Sequence, residues 1–283
     1  MKRVALLAAN EVRRTLASRR GLWSVGAFAL LWTLVLVYLV RPAGRLDAAG
    51  GGGGAGTLLV AVAERFGLES LLAWPSAQLA AGWVAALYLL PVVVLSAAVD
   101  QVASDRARGT LRYLVLRASR TEILLGRWLG QAVVQLALVA VALGSTLALV
   151  ALDAPERLGD ALGSAAPAGL ALWWSLLPWV ALASLVSVLA PSARRATLLA
   201  LGAWLALSWV ASAGAGLLGG HGSAGEGWRG LALVGLEHLV PGAAVDALLR
   251  APASGTPVAA LPALVQAAAF VALAALAFRR RAL

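Results

Sequence analysis

The chain contains no cysteine, a single methionine at its first position and a single lysine, Lys2. Without thiols it forms no disulfide, no thiolate metal site and no cysteine nucleophile. Without a second lysine it has no phosphate-binding loop of the GxxxxGK[ST] kind, because that motif sets a lysine beside a glycine-rich turn. If ATP drives this chain, another polypeptide binds the ATP. Charge is scarce too: 13% of the 283 residues are Asp, Glu, Lys or Arg, against about 25% in a water-soluble domain. Hydrophobic residues make up 61%, mean hydropathy is +0.86, and the apolar residues lie in long blocks. That is the composition of a chain that lives in a bilayer.

A helix rises about 1.5 Å per residue, so about 20 apolar residues cross a hydrocarbon core of about 30 Å. Six stretches meet this length: 21–40, 77–99, 128–152, 167–190, 196–218 and 257–278. The apolar stretch 231–249 carries Glu237, His238, Pro241 and Asp246, and reads as a helical hairpin at the outer surface rather than a span. The expected fold is an all-α membrane protein, with a single transmembrane domain over 21–283.

Loop charges orient it. Residues 1–20, 100–127, 194–195 and 279–281 hold 17 of the 23 basic residues, while the alternating segments hold six arginines against nine acids. The positive-inside rule places the basic set in the cytoplasm, both termini included. The formal charge of +10 therefore reads as a topology signal and not as a nucleic-acid interface. Residues 1–20 are too basic and the next apolar run too long for a cleaved signal. They read as an interfacial elbow helix, with Val4, Leu7, Val12 and Leu16 as an apolar stripe and Lys2, Arg3, Arg13, Arg14, Arg19 and Arg20 free to reach lipid phosphates.

The outer segments are less informative. The glycine run 50–54 reads as a flexible linker. His221 and His238, with Glu226, Glu237 and Asp246 in the same loop, lack close ligand spacing and read as solvated residues. Both histidines lie outside the spans and no paired acids lie within them, which removes the constellations an intramembrane protease needs. No charge sits at mid-membrane, where proton and ion pathways carry theirs. Gly126 and Gly130 form a small-xxx-small pair that permits close helix approach.

Residues 100–130 carry the most specific pattern. Gly109 and Thr110 open a short helix with Leu111, Leu114 and Val115 on one face and Arg112 on another. Ser119-Arg120-Thr121-Glu122 fits a capping box that restarts the chain as the third span. At these residues the chain resembles the permease subunits of ABC-2 type transporters, in particular the NosY-like branch. Asp105, Arg106, Arg108, Gly109, Thr110, Leu111 and Leu114 match the first part of the branch's cytoplasmic segment. Ser119, Arg120, Glu122, Ile123, Leu124, Leu125 and Gly126 match the second, with Arg127 in a lysine position. The usual proline is missing, and the stretch Leu116-Arg117-Ala118 is about one residue short of the family pattern.

The resemblance implies six transmembrane helices of the ABC-2, or type V exporter-like, kind in a bacterial cytoplasmic membrane. It implies a permease without catalysis of its own, paired with a second permease copy and with a cytoplasmic ATPase that holds ATP and Mg. A periplasmic protein is a further possible partner. The coupling helix would lie within 105–118, seating Leu111 and Leu114 in a groove of the ATPase with Arg117 beside them; Arg194 and Arg195 would make a secondary contact. Copper, the setting of the NosY system, finds no soft ligand here beyond Met1. The alternative is a secondary carrier, or another polytopic membrane protein without an ATPase.

Overall fold

A lipid-embedded backbone has no water to satisfy its N–H and C=O groups, so helices are the economical solution for such apolar runs. The computed structural model describes residues 2–43, 76–219 and 261–280, and among them the ordered segments are helical throughout. In chain order they are α1 (Lys2–Ala17), α2 (Arg19–Val35, prolonged by a π turn Leu36–Val40), α3 (Ala77–Ala98) and α4 (Asp100–Ala107). There follow α5 (Leu111–Val115), α6 (Arg120–Asp153), a 3₁₀ turn Pro155–Arg157, α7 (Leu158–Leu189), α8 (Ala193–Gly219) and α9 (Leu261–Arg280).

Five of the described helical stretches are long and apolar enough to cross a membrane: 21–43, 77–107, 120–153, 155–189 and 261–280. They cover five of the six expected spans. The remaining one, 196–218, falls within the 27-residue α8, which is not among those five. The fourth span begins earlier than its apolar run suggests, because α7 already starts at Leu158 and carries Pro167 inside it rather than at its first turn. Alanines and leucines on either side, good helix formers, hold the helix through the proline. The glycine run, both histidines and the 231–249 segment lie outside the described residues.

The helix α7 is the axis of the bundle. Of its apolar window 78% is buried, against 17% for the first span and 22% for α9. Leu172, Leu176 and Trp179 of α7 meet Leu79, Trp83, Leu90 and Val94 of α3 and Val134, Val139 and Leu143 of α6 in one apolar core. Glycines let these helices close up. A Cβ at Gly82 would lie 2.8 Å from the Thr146 hydroxyl, and one at Gly169 would lie 2.8 Å from Leu143. Two indoles find acceptors on neighbouring helices: Trp83 donates to the Ala168 carbonyl and Trp173 to that of Ala132, both at 2.9 Å, whereas the buried Trp128 Nε1 and Gln135 side-chain amide find no partner among the described residues. An unmet donor in this environment would cost about 1–3 kcal/mol.

Candidate functional site

The loop between α3 and α6 is built as helix, break, short helix, break, helix. Gly109 makes the first break with φ +71°, and nothing lies within 4 Å of where its Cβ would be. The demand for glycine is therefore conformational, since a left-handed backbone strains any residue with a Cβ. Thr110 stabilises the turn by donating its hydroxyl to the Asp105 carbonyl at 3.2 Å. Ser119 makes the second break. Its Oγ accepts from the Glu122 amide at 3.2 Å, while the Glu122 carboxylate accepts from the Ser119 amide at 2.8 Å, completing the expected capping box.

Most of the motif residues face inward. Leu111 is 2% exposed and packs with Val102, Leu124, Val188, Ala274 and Phe278. It anchors α5 to the chain's own bundle, so it is not on display for a groove elsewhere. Arg106 reaches the end of α7, donating to the Ala190 carbonyl at 2.9 Å and the Val188 carbonyl at 3.1 Å. Arg120 does the same for α9, donating to the Phe278 and Arg279 carbonyls at 2.9 and 3.1 Å and lying 5.9 Å from the centre of the Phe278 ring. Both guanidiniums meet the negative end of a helix, where a cation is favoured. The amides of Val102 and Ala103 at the start of α4 donate to Ser187 Oγ of α7 at 2.9 and 3.1 Å.

Asp105 is the centre of the loop's electrostatics. Its carboxylate makes a short ion pair with Arg127 of α6 and a 3.4 Å pair with Arg14 of α1. Arg14 also donates to Ser104 Oγ at 3.5 Å. One turn further along, the Gln131 amide donates to Glu11 at 3.3 Å and to Thr15 Oγ1 at 3.0 Å. This close fit of α1 on α6 needs the two glycines. A Cβ on Gly126 would meet Leu7 Cβ at 2.5 Å, and one on Gly130 would meet Glu11 Cβ at 2.7 Å and the Ala8 carbonyl at 2.8 Å. The partner of the small-xxx-small pair is thus the amino-terminal helix. Val12 and Leu16 of its apolar stripe pack against the core rather than into lipid.

What remains exposed is a compact strip on the far side of α5. Arg108, Arg112 and Arg117 are exposed, Tyr113 is 72% exposed and Leu116 is 84% exposed, while Leu114 is half-buried. Arg194 and Arg195 are exposed at the start of α8, with the Arg195 amide on Ser192 Oγ at 3.4 Å. The sequence assigned no contact to Tyr113, Leu116 or Ser187, and it set Arg14 free to reach lipid phosphates, whereas Arg14 pairs with Asp105. The helical period did contain the first two: once Leu111 and Val115 point inward, Arg112, Tyr113 and Leu116 must point away. Arg14 and Ser187 are 91 and 84 or more residues from their partners, a distance at which periodicity carries nothing.

A short helix anchored through Leu111 to α4, α6, α7 and α9, with exposed cations and two large apolar side chains on and beside it, can take a load from outside and spread it through the bundle. The comparison with known families agrees with a membrane part of a larger machine. The family model described as ABC-2 family transporter protein matches residues 5–283. The chain therefore belongs to the ABC-2 family, as a multi-pass membrane protein and the permease component of an ABC transporter. No curated protein matches it.

Proposed function

We propose that this ABC-2 permease couples ATP hydrolysis on a separate cytoplasmic subunit to export, or to mechanical transmission, across a bacterial inner membrane. The observation that carries this reading is the exposed set Arg108, Arg112, Tyr113, Leu116 and Arg117, on and beside the short helix that Leu111 locks into the bundle. An ATPase groove that is acidic at its rim and apolar at its floor complements it: the arginines pair with the rim and Tyr113 and Leu116 fill the floor. Buried aromatic and aliphatic anchors of this type supply most of the affinity at an interface, and rim charges supply registry. ATP and Mg belong to that partner. Arg194 and Arg195 form the minor contact. The permease spans six times with α8 as the fifth span, keeps both termini in the cytoplasm, pairs with a second copy, and falls in the NosY-like branch.

The test is co-purification with the ATPase. Tyr113→Asp together with Leu116→Asp places charge where apolar side chains bury, and is expected to weaken association at least about 100-fold, some 2.7 kcal/mol. Both side chains are exposed, so the permease itself folds. Unchanged capture of the ATPase by the double variant would refute the docking assignment.

A further inference from the structure

The first span is attached to the bundle unlike the others. Over its 23 residues, 21–43, the buried apolar side chains are Phe28, Trp32, Val40 and Ala43. Two polar ties supplement them, both to α6. Trp32 Nε1 donates to Ser145 Oγ at 2.9 Å, and Arg41 Nε pairs with Asp153 at 3.4 Å. Gln78 at the start of α3 donates to the same Asp153 oxygen at 3.3 Å. The ties lie nine residues apart on the first span and eight apart on α6, about 12–14 Å in either helix, so the two are joined in register, while the first span also packs along α3. On its other sides α6 is fixed, because α3 and α7 approach it through Gly82 and Gly169 with no room for a Cβ. The body is rigid there; the first span is held at its edge.

Its inner end is a stiff corner. Ser18 caps α2 by accepting from the Gly21 amide at 3.0 Å, and a Cβ on Gly21 would fall 1.6 Å from the Thr15 carbonyl oxygen. Any rotation of α1 is therefore passed to α2. Through Arg14, α1 is held to Asp105 in the loop that carries α5. The geometry points to the first span as the moving part of this permease: a displacement of α5 passes through Asp105 and Arg14 to α1, around the Gly21 corner, and swings α2 off α6 at Arg41–Asp153 and Trp32–Ser145. Trp32 lies about 16 Å and Arg41 about 30 Å from the corner, so a turn of about 10° moves them by about 3 and 5 Å, enough to part both ties. The outer pair is suited to repeated opening: its side chains are 46% and 20% exposed, and half-exposed pairs hold weakly. This rests on the reading above that an ATPase grips α5.

The chain has no cysteine, so spin labels report from chosen sites alone. Tyr38→Cys and Leu152→Cys sit beside the outer tie and are 76% and 80% exposed. The labelled permease, diluted with unlabelled copies and assembled with its ATPase in liposomes, is measured by pulsed electron resonance without nucleotide and after trapping with ATP, Mg and vanadate. The distance is expected to lengthen by about 4 Å on trapping, as the position of residue 38 along the lever requires. Asp153→Asn is expected to populate the longer distance without nucleotide. A trapped distribution that moves less, or an Asp153→Asn distribution identical to the parent, overturns the proposal. Maleimide labelling of Leu116→Cys keeps the two readings apart: protection by the ATPase with no change at 38 and 152 sinks the moving span alone, and absence of protection sinks the docking on α5.

Discussion

Asp105 and Arg127 face each other with side-chain exposures of 10% and 6%, whereas Arg14, the second cation on Asp105, is 34% exposed. Removing the carboxylate breaks the ion pair that the desolvated Arg127 guanidinium makes with it, and breaking a buried pair costs about 3–5 kcal/mol. Removing Arg14 takes away a half-screened pair, worth about 1 kcal/mol or less. Asp105→Ala is accordingly expected to destabilise the detergent-solubilised permease several-fold more than Arg14→Ala, as read from denaturant midpoints. Equal effects would mean that Arg14 is the principal partner. At this scale the sequence was only partly legible. The run from Asp105 to Glu122 announced a specialised loop, and the capping box formed as its spacing required. That Asp105, Arg106 and Arg120 turn inward to Arg127, α7 and α9 was not legible, because a charged residue in a basic loop looks the same whether it meets solvent or a distant carbonyl.

The pair α1 and α6 shows the same division one level up. The spacing of Gly126 and Gly130 signals a close helix approach, and the stripe on α1 signals an amphipathic helix. Neither names the other as its partner. Docking rests on backbone proximity, so a large side chain at Gly130 must push α1 away: overpacking of this kind costs about 1–3 kcal/mol. Gly130→Leu is expected to expose α1 to trypsin at Arg13 and Arg14 at concentrations that leave the parent intact. Gly144, with nothing within 4 Å of its Cβ position, is the control; Gly144→Ala is expected to change stability by about 1 kcal/mol or less and to leave the cleavage pattern unaltered. Exposure of α1 in both variants, or in neither, would remove the glycine contact as the reason for docking.

For the molecule as a whole, the proposed topology puts the α5 loop in the cytoplasm and the turn Pro155–Arg157 on the opposite side. Leu116→Cys and Glu156→Cys test this directly, since both positions are exposed and no native thiol competes. A membrane-impermeant maleimide is expected to label Glu156→Cys in intact cells and Leu116→Cys only in inverted vesicles. The reverse pattern would invert the topology and with it the ATPase reading. Long apolar runs were enough, by themselves, to establish a helical membrane protein, and loop arginines and the absence of a lysine-bearing phosphate loop to set the expectations of an orientation and of a separate ATP-binding chain, because hydropathy and charge act on each segment independently of the rest. Only the tertiary structure decided which side of α5 is exposed, that α1 sits on α6, and that the first span is tied to α6 at Ser145 and Asp153. Those outcomes depend on side chains from helices far apart in sequence meeting within 3–4 Å, and no local pattern encodes a meeting between strangers.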